Sequence, residues 1–126
     1  MTMELHEIIK RLKAELLVPI PEGHRMTIHD VCAADLLSDI LATSKREFVI
    51  LTGLVTPQVI RVAEATDAIG VVIVRGKTPP EATLQAARVA EIPVWRSPMQ
   101  LFESCVALAP LVEERMSMSA AERTNS

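Results

Sequence analysis

Unbroken apolar runs alternate with amphipathic segments through the middle of the chain. The apolar runs have strand length and cover residues 48–51, 71–74 and 93–96. Helical spacing of apolar positions follows each run, over about 57–67, 79–91 and 98–108. Strands that are buried on both faces of a parallel sheet have continuous rather than alternating apolar sequences. The pattern therefore predicts an α/β fold, a three-layer sandwich with a mostly parallel central sheet and helices on both faces.

The helix starts carry a consistent signal. Each predicted helix opens on a capping residue followed by proline, in the pairs Thr56-Pro57, Thr78-Pro79 and Ser97-Pro98. Proline fits the first turn because the N–H that it lacks has no partner there. Agreement across three units favours the strand–helix assignment.

The flanking segments are less regular. The N-terminal pattern predicts a helix over 3–14, a short strand over 16–18, an extended segment over 26–31 and a helix over 35–43. We expect residues 1–110 to form a single domain and 111–126 to form a helical extension that ends in a frayed tail.

Composition limits the classes of binding partner and the cellular location that we expect. The 126 residues carry a formal net charge of −3 and only 2% aromatic residues, which disfavours nucleic acid as a partner. Apolar runs are too short to span a bilayer, and the first residues lack a secretory pattern, so the expected location is the cytoplasm. Cys32 and Cys105 lie far apart in apolar surroundings and are expected to be two buried thiols.

The candidate chemistry falls at the carboxyl ends of the predicted strands. Thr52, Gly53 and Thr56 follow the first strand, where a glycine lets a ligand approach the backbone. Three cations, Arg75, Lys77 and Arg96, follow the next two strands and would reach the same edge. Together they predict an anion site over helix N-termini. The alternative is that the turn only reverses the chain and the cations are solvated.

Other polar groups give weaker indications of function. Asp35 and Asp39 are spaced to share a helix face, where they could hold a divalent cation or a partner's arginine, or simply favour the helix start. His29 precedes Asp30, but no recognisable motif places a nucleophile beside them. The sequence therefore predicts no enzyme, no catalytic residues, no metal and no cofactor.

Short strings in matching order resemble the DRTGG domain family, in particular its small free-standing members. The strings are Ser38-Asp39-Ile40-Leu41, Leu51-Thr52-Gly53-Leu54, Thr56-Pro57-Gln58-Val59-Ile60-Arg61, Val74-Arg75-Gly76-Lys77-Thr78-Pro79, Ile92-Pro93 and Phe102-Glu103-Ser104-Cys105, within about residues 3–109. The resemblance implies a three-layer module similar to the N-terminal domain of bacterial HPr kinase. In larger relatives such modules have a regulatory or dimerising role. The Asp-Arg-Thr-Gly-Gly string is absent, and Leu54 and Val55 replace charged residues of other branches.

The resulting hypothesis is a non-catalytic regulatory module that senses a small anionic, nucleotide-like ligand and forms a homodimer. A chain that is 49% hydrophobic favours an apolar interface, with the helices near 36–43 and 99–108 as contributors. The alternative is a protein-interaction or dimerisation adaptor without a small-molecule ligand.

Overall fold

The computed structural model describes residues 3–124, with side chains described for 3–112. Helices and strands alternate along the chain. The strands are β1 (Met3–Glu4), β2 (Glu15–Val18), β3 (Thr27–Ile28), β4 (Asp30–Ala33), β5 (Phe48–Thr52), β6 (Gly70–Ile73) and β7 (Val94–Arg96). The helices are α1 (Leu5–Arg11), α2 (Leu37–Leu41), α3 (Pro57–Ala65), α4 (Glu81–Ala90) and α5 (Leu101–Thr124).

A five-stranded sheet with the order β2-β7-β6-β5-β4 forms the centre of the protein. Strands β4, β5, β6 and β7 are parallel, and β2 pairs antiparallel with β7 at one edge. The register pairs Leu51 with Ala33 on one side and with Val72 on the other. A separate two-stranded sheet joins β1 to β3. The mostly parallel sheet is the one that the apolar runs predict.

Alternate residues of the central strands supply two cores. Phe48 and Ile50 of β5 pack on the side of α2, α3 and α4, whereas Val49 and Leu51 pack on the side of α1 and α5. Because successive strand residues point to opposite faces, a strand covered on both sides has no polar face. The three-layer sandwich predicted from the sequence is therefore confirmed.

The predicted core strands lie side by side in the middle of the sheet. Val72 and Ile73 are completely buried, as the continuous apolar run of β6 requires. The strand predicted at 48–51 extends by one residue to Thr52, whose side chain is also buried.

Several helix boundaries were predicted wrongly. The predicted helix at 3–14 is shortened because Met3 and Glu4 pair with β3 instead. Helix α4 begins at Glu81 rather than at Pro79, and Pro80 is its extended N-cap. A residue before proline is kept out of the helical region, so Pro79 cannot start the helix. The predicted helix at 35–43 shrinks to α2 because Leu36 is extended.

The C-terminal helix also departs from expectation. Its backbone continues through Pro110 to Thr124, so most of the predicted extension lies within α5. Residues 125–126 lie outside the described part, and the division at residue 110 stays a prediction. Cys32 is buried as expected, but Cys105 on α5 is exposed. In the described residues, no helix combines the length and apolarity needed to cross a bilayer.

Candidate functional site

Loops after three neighbouring parallel strands meet at the carboxyl edge of the sheet. Asp35 follows β4, Gly53 follows β5 and Arg75 follows β6. Parallel strands deliver these loops to one edge because their carboxyl ends point the same way. Together with Thr52 and Lys77, these residues form what we call the carboxyl-edge cluster.

The Asp35 carboxylate is the centre of this cluster. Its Oδ1 accepts a hydrogen bond from the Gly53 backbone N–H at 2.6 Å, and its Oδ2 accepts one from Arg75 Nη2 at 3.0 Å. Thr52 Oγ1 lies 3.4 Å from the same Oδ1. Both carboxylate oxygens are thus held by donors from other loops, one of them a guanidinium, which makes the contacts charge-assisted.

The other donors of the cluster stabilise the β5 turn. Lys77 Nζ donates to the Gly53 carbonyl oxygen at 2.9 Å, and Thr52 Oγ1 accepts from the Leu54 N–H at 3.1 Å. Thr52 is completely buried, whereas Lys77 is exposed. The turn therefore has a buried inner side and a charged outer side.

Gly53 has a steric role. A Cβ at this position would lie 3.3 Å from Asp35 Oδ1 and 3.5 Å from Arg75 Cζ. Its φ lies outside the left-handed region, so the conformational freedom of glycine is not what the position requires. The missing side chain instead allows the carboxylate to reach the backbone N–H.

The β6 turn is built from two left-handed residues. Arg75 has φ 66° and Gly76 has φ 62°. The Arg75 N–H donates to the Met99 carbonyl oxygen at 2.7 Å, and the Gly76 N–H donates to that of Ser97 at 2.8 Å. These bonds hold the turn against the loop before α5. A left-handed arginine carries a steric cost, so this backbone conformation is held by its surroundings.

The remaining predicted residues have different positions. Thr56 is the exposed N-cap residue of α3 and makes no side-chain capping bond. Arg96 forms an ion pair with Glu15, and its Nη1 donates to Thr78 Oγ1 at 2.7 Å. Arg96 therefore contacts the same loop as Lys77, one residue further along.

Asp35 is the member of the cluster that sequence reasoning placed wrongly. It lies before α2 and does not share a helix face with Asp39. Had 30–33 been recognised as a parallel strand, Asp35 would have been placed at its carboxyl end. Among the described residues, no group of three or more histidine, cysteine, aspartate or glutamate side chains is arranged to hold a metal ion.

A polar cleft of about 370 Å³ lies at the opposite, amino-terminal edge of the sheet. Its lining includes the ends of α3 and α4 and the loop around Gly23; we call it the amino-edge cleft. His24 Nε2 contacts the Ile69 carbonyl oxygen at 2.7 Å, and Arg25 forms an ion pair with Asp67. Four acidic side chains also line it, namely Glu22, Glu64, Asp67 and Glu91.

The fold is similar to a solved structure of a regulatory protein. That structure is the crystal structure of the CBS and DRTGG domains of the regulatory region of Clostridium perfringens pyrophosphatase, complexed with its activator diadenosine tetraphosphate. The TM-score is 0.66 and the sequence identity is 16%. The chain has a DRTGG-like fold.

The similarity covers 83% of this chain but 45% of that chain, so the DRTGG-like fold spans less than half of the regulatory region. At this sequence identity, the likeness concerns the fold. No protein-family model matches the chain, and no curated protein matches it at a significant level.

Proposed function

We propose that this protein is a non-catalytic regulatory module that binds a small anionic, nucleotide-like ligand at the carboxyl-edge cluster. One observation carries the proposal: donors from the β5 and β6 loops already hold a two-oxygen anion, the Asp35 carboxylate. A phosphate or carboxylate group of a ligand presents the same pair of acceptor oxygens.

The electrostatics at this edge also favour an anion. Lys77 uses one of its three N–H donors on the Gly53 carbonyl oxygen, and the Arg75 side chain is 41% exposed. Helix α3 begins close by at Pro57, and the partial positive charge at a helix N-terminus adds to the positive potential. Thr56 and Arg96, at the margin of the cluster, would contact the outer part of a larger ligand.

The fold comparison supports a regulatory rather than a catalytic role. The similar pyrophosphatase structure is a regulatory region and carries a nucleotide activator. The carboxyl-edge cluster contains cations and a carboxylate but no nucleophile that a base activates.

A thermal-shift screen tests ligand binding. The probes are ATP, AMP, diadenosine tetraphosphate, acetyl phosphate, coenzyme A and inorganic phosphate. A ligand at 100 times its dissociation constant adds about 2.7 kcal/mol of stability, which should raise Tm by on the order of 10 °C. Arg25→Ala, which removes an arginine from the amino-edge cleft, is the matched control and should retain the shift. If no probe produces a saturable shift, the ligand-sensing proposal is wrong.

We also propose that the protein forms a homodimer through the apolar surface around β4. Strand β4 is an edge strand, with α2 on one side of the sheet and α5 on the other. We call this surface the β4 face. Its large exposed side chains are Leu36 (58%), Leu41 (56%), Phe102 (78%) and Val106 (55%).

The details of the β4 face favour helix packing over sheet extension. The Val31 N–H donates to Asp30 Oδ1 at 2.8 Å, so this edge donor is already satisfied. An apolar pocket of about 240 Å³ lies between β4 and α5 and is lined by Ala33, Cys105 and Ala109, among others. A dimer that buries this pocket and Phe102 accounts for apolar side chains that are otherwise exposed to water.

Light scattering tests the dimer. We expect twice the monomer mass of 13.8 kDa for the native protein, and a monomer for Phe102→Glu. Val89→Glu is the control, because Val89 is equally exposed on α4, away from the β4 face. A native monomer at high concentration contradicts the proposal.

Thiol labelling gives a second measurement of the same surface. Partial burial beside the apolar pocket desolvates the Cys105 thiol and raises its pKa, so labelling is done at alkaline pH. We expect Cys105 to be protected as protein concentration rises, with buried Cys32 as the internal reference.

The same surface favours a second candidate function, a protein-interaction adaptor that has no small-molecule ligand. In that case the homodimer or a partner complex would form, and the thermal-shift screen would be negative. Because both functions predict association through the β4 face, the thermal-shift screen is the experiment that separates them.

A further inference from the structure

The carboxyl-edge cluster is closed by a residue of the protein itself. Asp35 occupies the Gly53 N–H and one Arg75 N–H donor, the groups that a ligand phosphate would use. An external anion cannot form those bonds while the Asp35 carboxylate remains in place, because each N–H points at one acceptor.

We infer that Asp35 is an internal competitor that a ligand's phosphate or carboxylate group must displace. This inference rests on the proposed function. It adds how the ligand enters the site: the Asp35 carboxylate leaves the Gly53 N–H and the Arg75 guanidinium as the anionic group of the ligand binds them. The ligand class is thereby narrowed to anions with at least two acceptor oxygens on one group.

The surroundings of Asp35 allow its carboxylate to separate from its hydrogen-bond partners. Its side chain is 37% exposed, and it lies on a short non-helical segment between β4 and α2. Exposed ion pairs contribute little stability, because water and salt replace them at low cost. A phosphate with more than one negative charge competes well for the same donors.

Displacement also connects the site to the β4 face. Leu36 follows Asp35 directly and is the N-cap residue of α2, with φ −125° and ψ 121°. Leu36 and Leu41 are two of the four large exposed side chains of that face. Release of Asp35 removes its bonds to Gly53 and Arg75 one residue before Leu36, so we expect ligand binding to alter the start of α2 and the surface proposed for dimerisation.

The direct test compares anion affinity in three proteins: native, Asp35→Ala and Asp35→Asn. The probe is whichever anion gives the largest shift in the thermal-shift screen of the native protein and the Asp35→Ala variant. We expect Asp35→Ala to bind it about tenfold more tightly than the native protein, equivalent to about 1.4 kcal/mol. Asp35→Asn removes the charge but retains an acceptor oxygen, so its affinity should lie between the two.

A matched variant controls for charge alone. Asp67→Asn removes one negative charge from the amino-edge cleft, where Asp67 pairs with Arg25. General attraction of the anion to a less negative protein would tighten binding equally in Asp67→Asn and Asp35→Asn. The competitor mechanism predicts tightening in Asp35→Asn alone. The intrinsic fluorescence of Trp95, which is buried, verifies that each variant is folded.

The outcomes are distinguishable. Binding by the native protein that is unchanged or weaker in both Asp35 variants overturns the competitor mechanism and leaves the proposed function standing. Absence of binding in the native protein and in both variants overturns the proposed function and the competitor mechanism with it. Binding by the Asp35 variants alone overturns both proposals, because the native protein then binds no ligand and no ligand displaces its Asp35 carboxylate.

Discussion

The two edges of the sheet differ in the sign of the charge that they present. At the carboxyl edge, Arg75 and Lys77 lie near the start of α3. At the amino edge, Glu64 and Glu91 lie at the ends of α3 and α4, where the helix dipole is negative. At each edge these side chains have the same sign as the neighbouring helix ends, and Asp35 and Arg25 are the oppositely charged residues that pair with them.

A concave cleft and the groups that hold an anion therefore lie at opposite edges. The amino-edge cleft is a well-formed concavity, but its acidic lining repels anions. The carboxyl-edge cluster holds an anion, the Asp35 carboxylate, in bonds of 2.6 and 3.0 Å. The difference shows why the proposed anion site rests on groups that already hold a carboxylate rather than on the presence of a cleft.

The largest expected effect compares a glycine at each edge. A Cβ on Gly70 would lie 2.6 Å from Trp95 Cζ3 and 3.2 Å from the Pro93 carbonyl oxygen, inside the packed core. We expect Gly70→Ala to lower the free energy of unfolding by roughly 1–3 kcal/mol. Gly53→Ala should cost less than about 1 kcal/mol, since the nearest atom belongs to the partly exposed Asp35 side chain. Urea unfolding followed by circular dichroism measures both, and equal costs would contradict this account.

The next effect compares two arginines that each pair with an aspartate. We expect Arg75→Ala to weaken binding of the probe anion about tenfold, at the low end for a charged hydrogen bond because the side chain is 41% exposed. Arg25→Ala, at the amino-edge cleft, should leave the affinity unchanged. Calorimetric titration at two salt concentrations should also show a flatter salt dependence for Arg75→Ala. An equal loss in both variants would remove the distinction between the edges.

The smallest effect compares two left-handed residues, Arg75 with φ 66° and Glu91 with φ 57°. Glu91 caps α4 in a position where glycine is favoured, so Glu91→Gly should stabilise the protein by roughly 0.5–1 kcal/mol. Arg75→Gly relieves the same backbone cost but loses the ion pair with Asp35, so its net effect should be close to zero. Urea unfolding distinguishes them. Equal stabilisation would mean that the Asp35–Arg75 pair contributes nothing in solution.

The central strands could be predicted from the sequence because burial on both faces requires an unbroken run of apolar residues. Val71, Val72 and Ile73 have no polar residue between them, and all three are completely buried. The edge strand β4 has a weaker apolar pattern. Its residues Asp30 and Val31 are only half-buried, so the sequence around them predicts an extended segment without a partner.

This weaker pattern explains why the sequence predicts only part of the carboxyl-edge cluster. The cations follow strongly apolar strands, and Arg75 and Lys77 do meet Gly53 or Asp35. Asp35 follows β4, so its place at the same edge depends on a pairing of β4 with β5 that local pattern does not encode. The ion pair of Arg96 with Glu15 likewise joins residues far apart in the chain.

One measurement tests the central claim most directly, namely that the carboxyl edge is the anion site. The chain has four glycines, whose backbone amides are readily followed in nitrogen–proton correlation spectra. Gly53 and Gly76 belong to the loops of the carboxyl edge, whereas Gly23 lines the amino-edge cleft and Gly70 opens β6 at that same end. On titration with the probe anion, we predict saturable shifts for Gly53 and Gly76 and none for Gly23 and Gly70. Saturable shifts at Gly23 and Gly70, with Gly53 unmoved, would contradict the account.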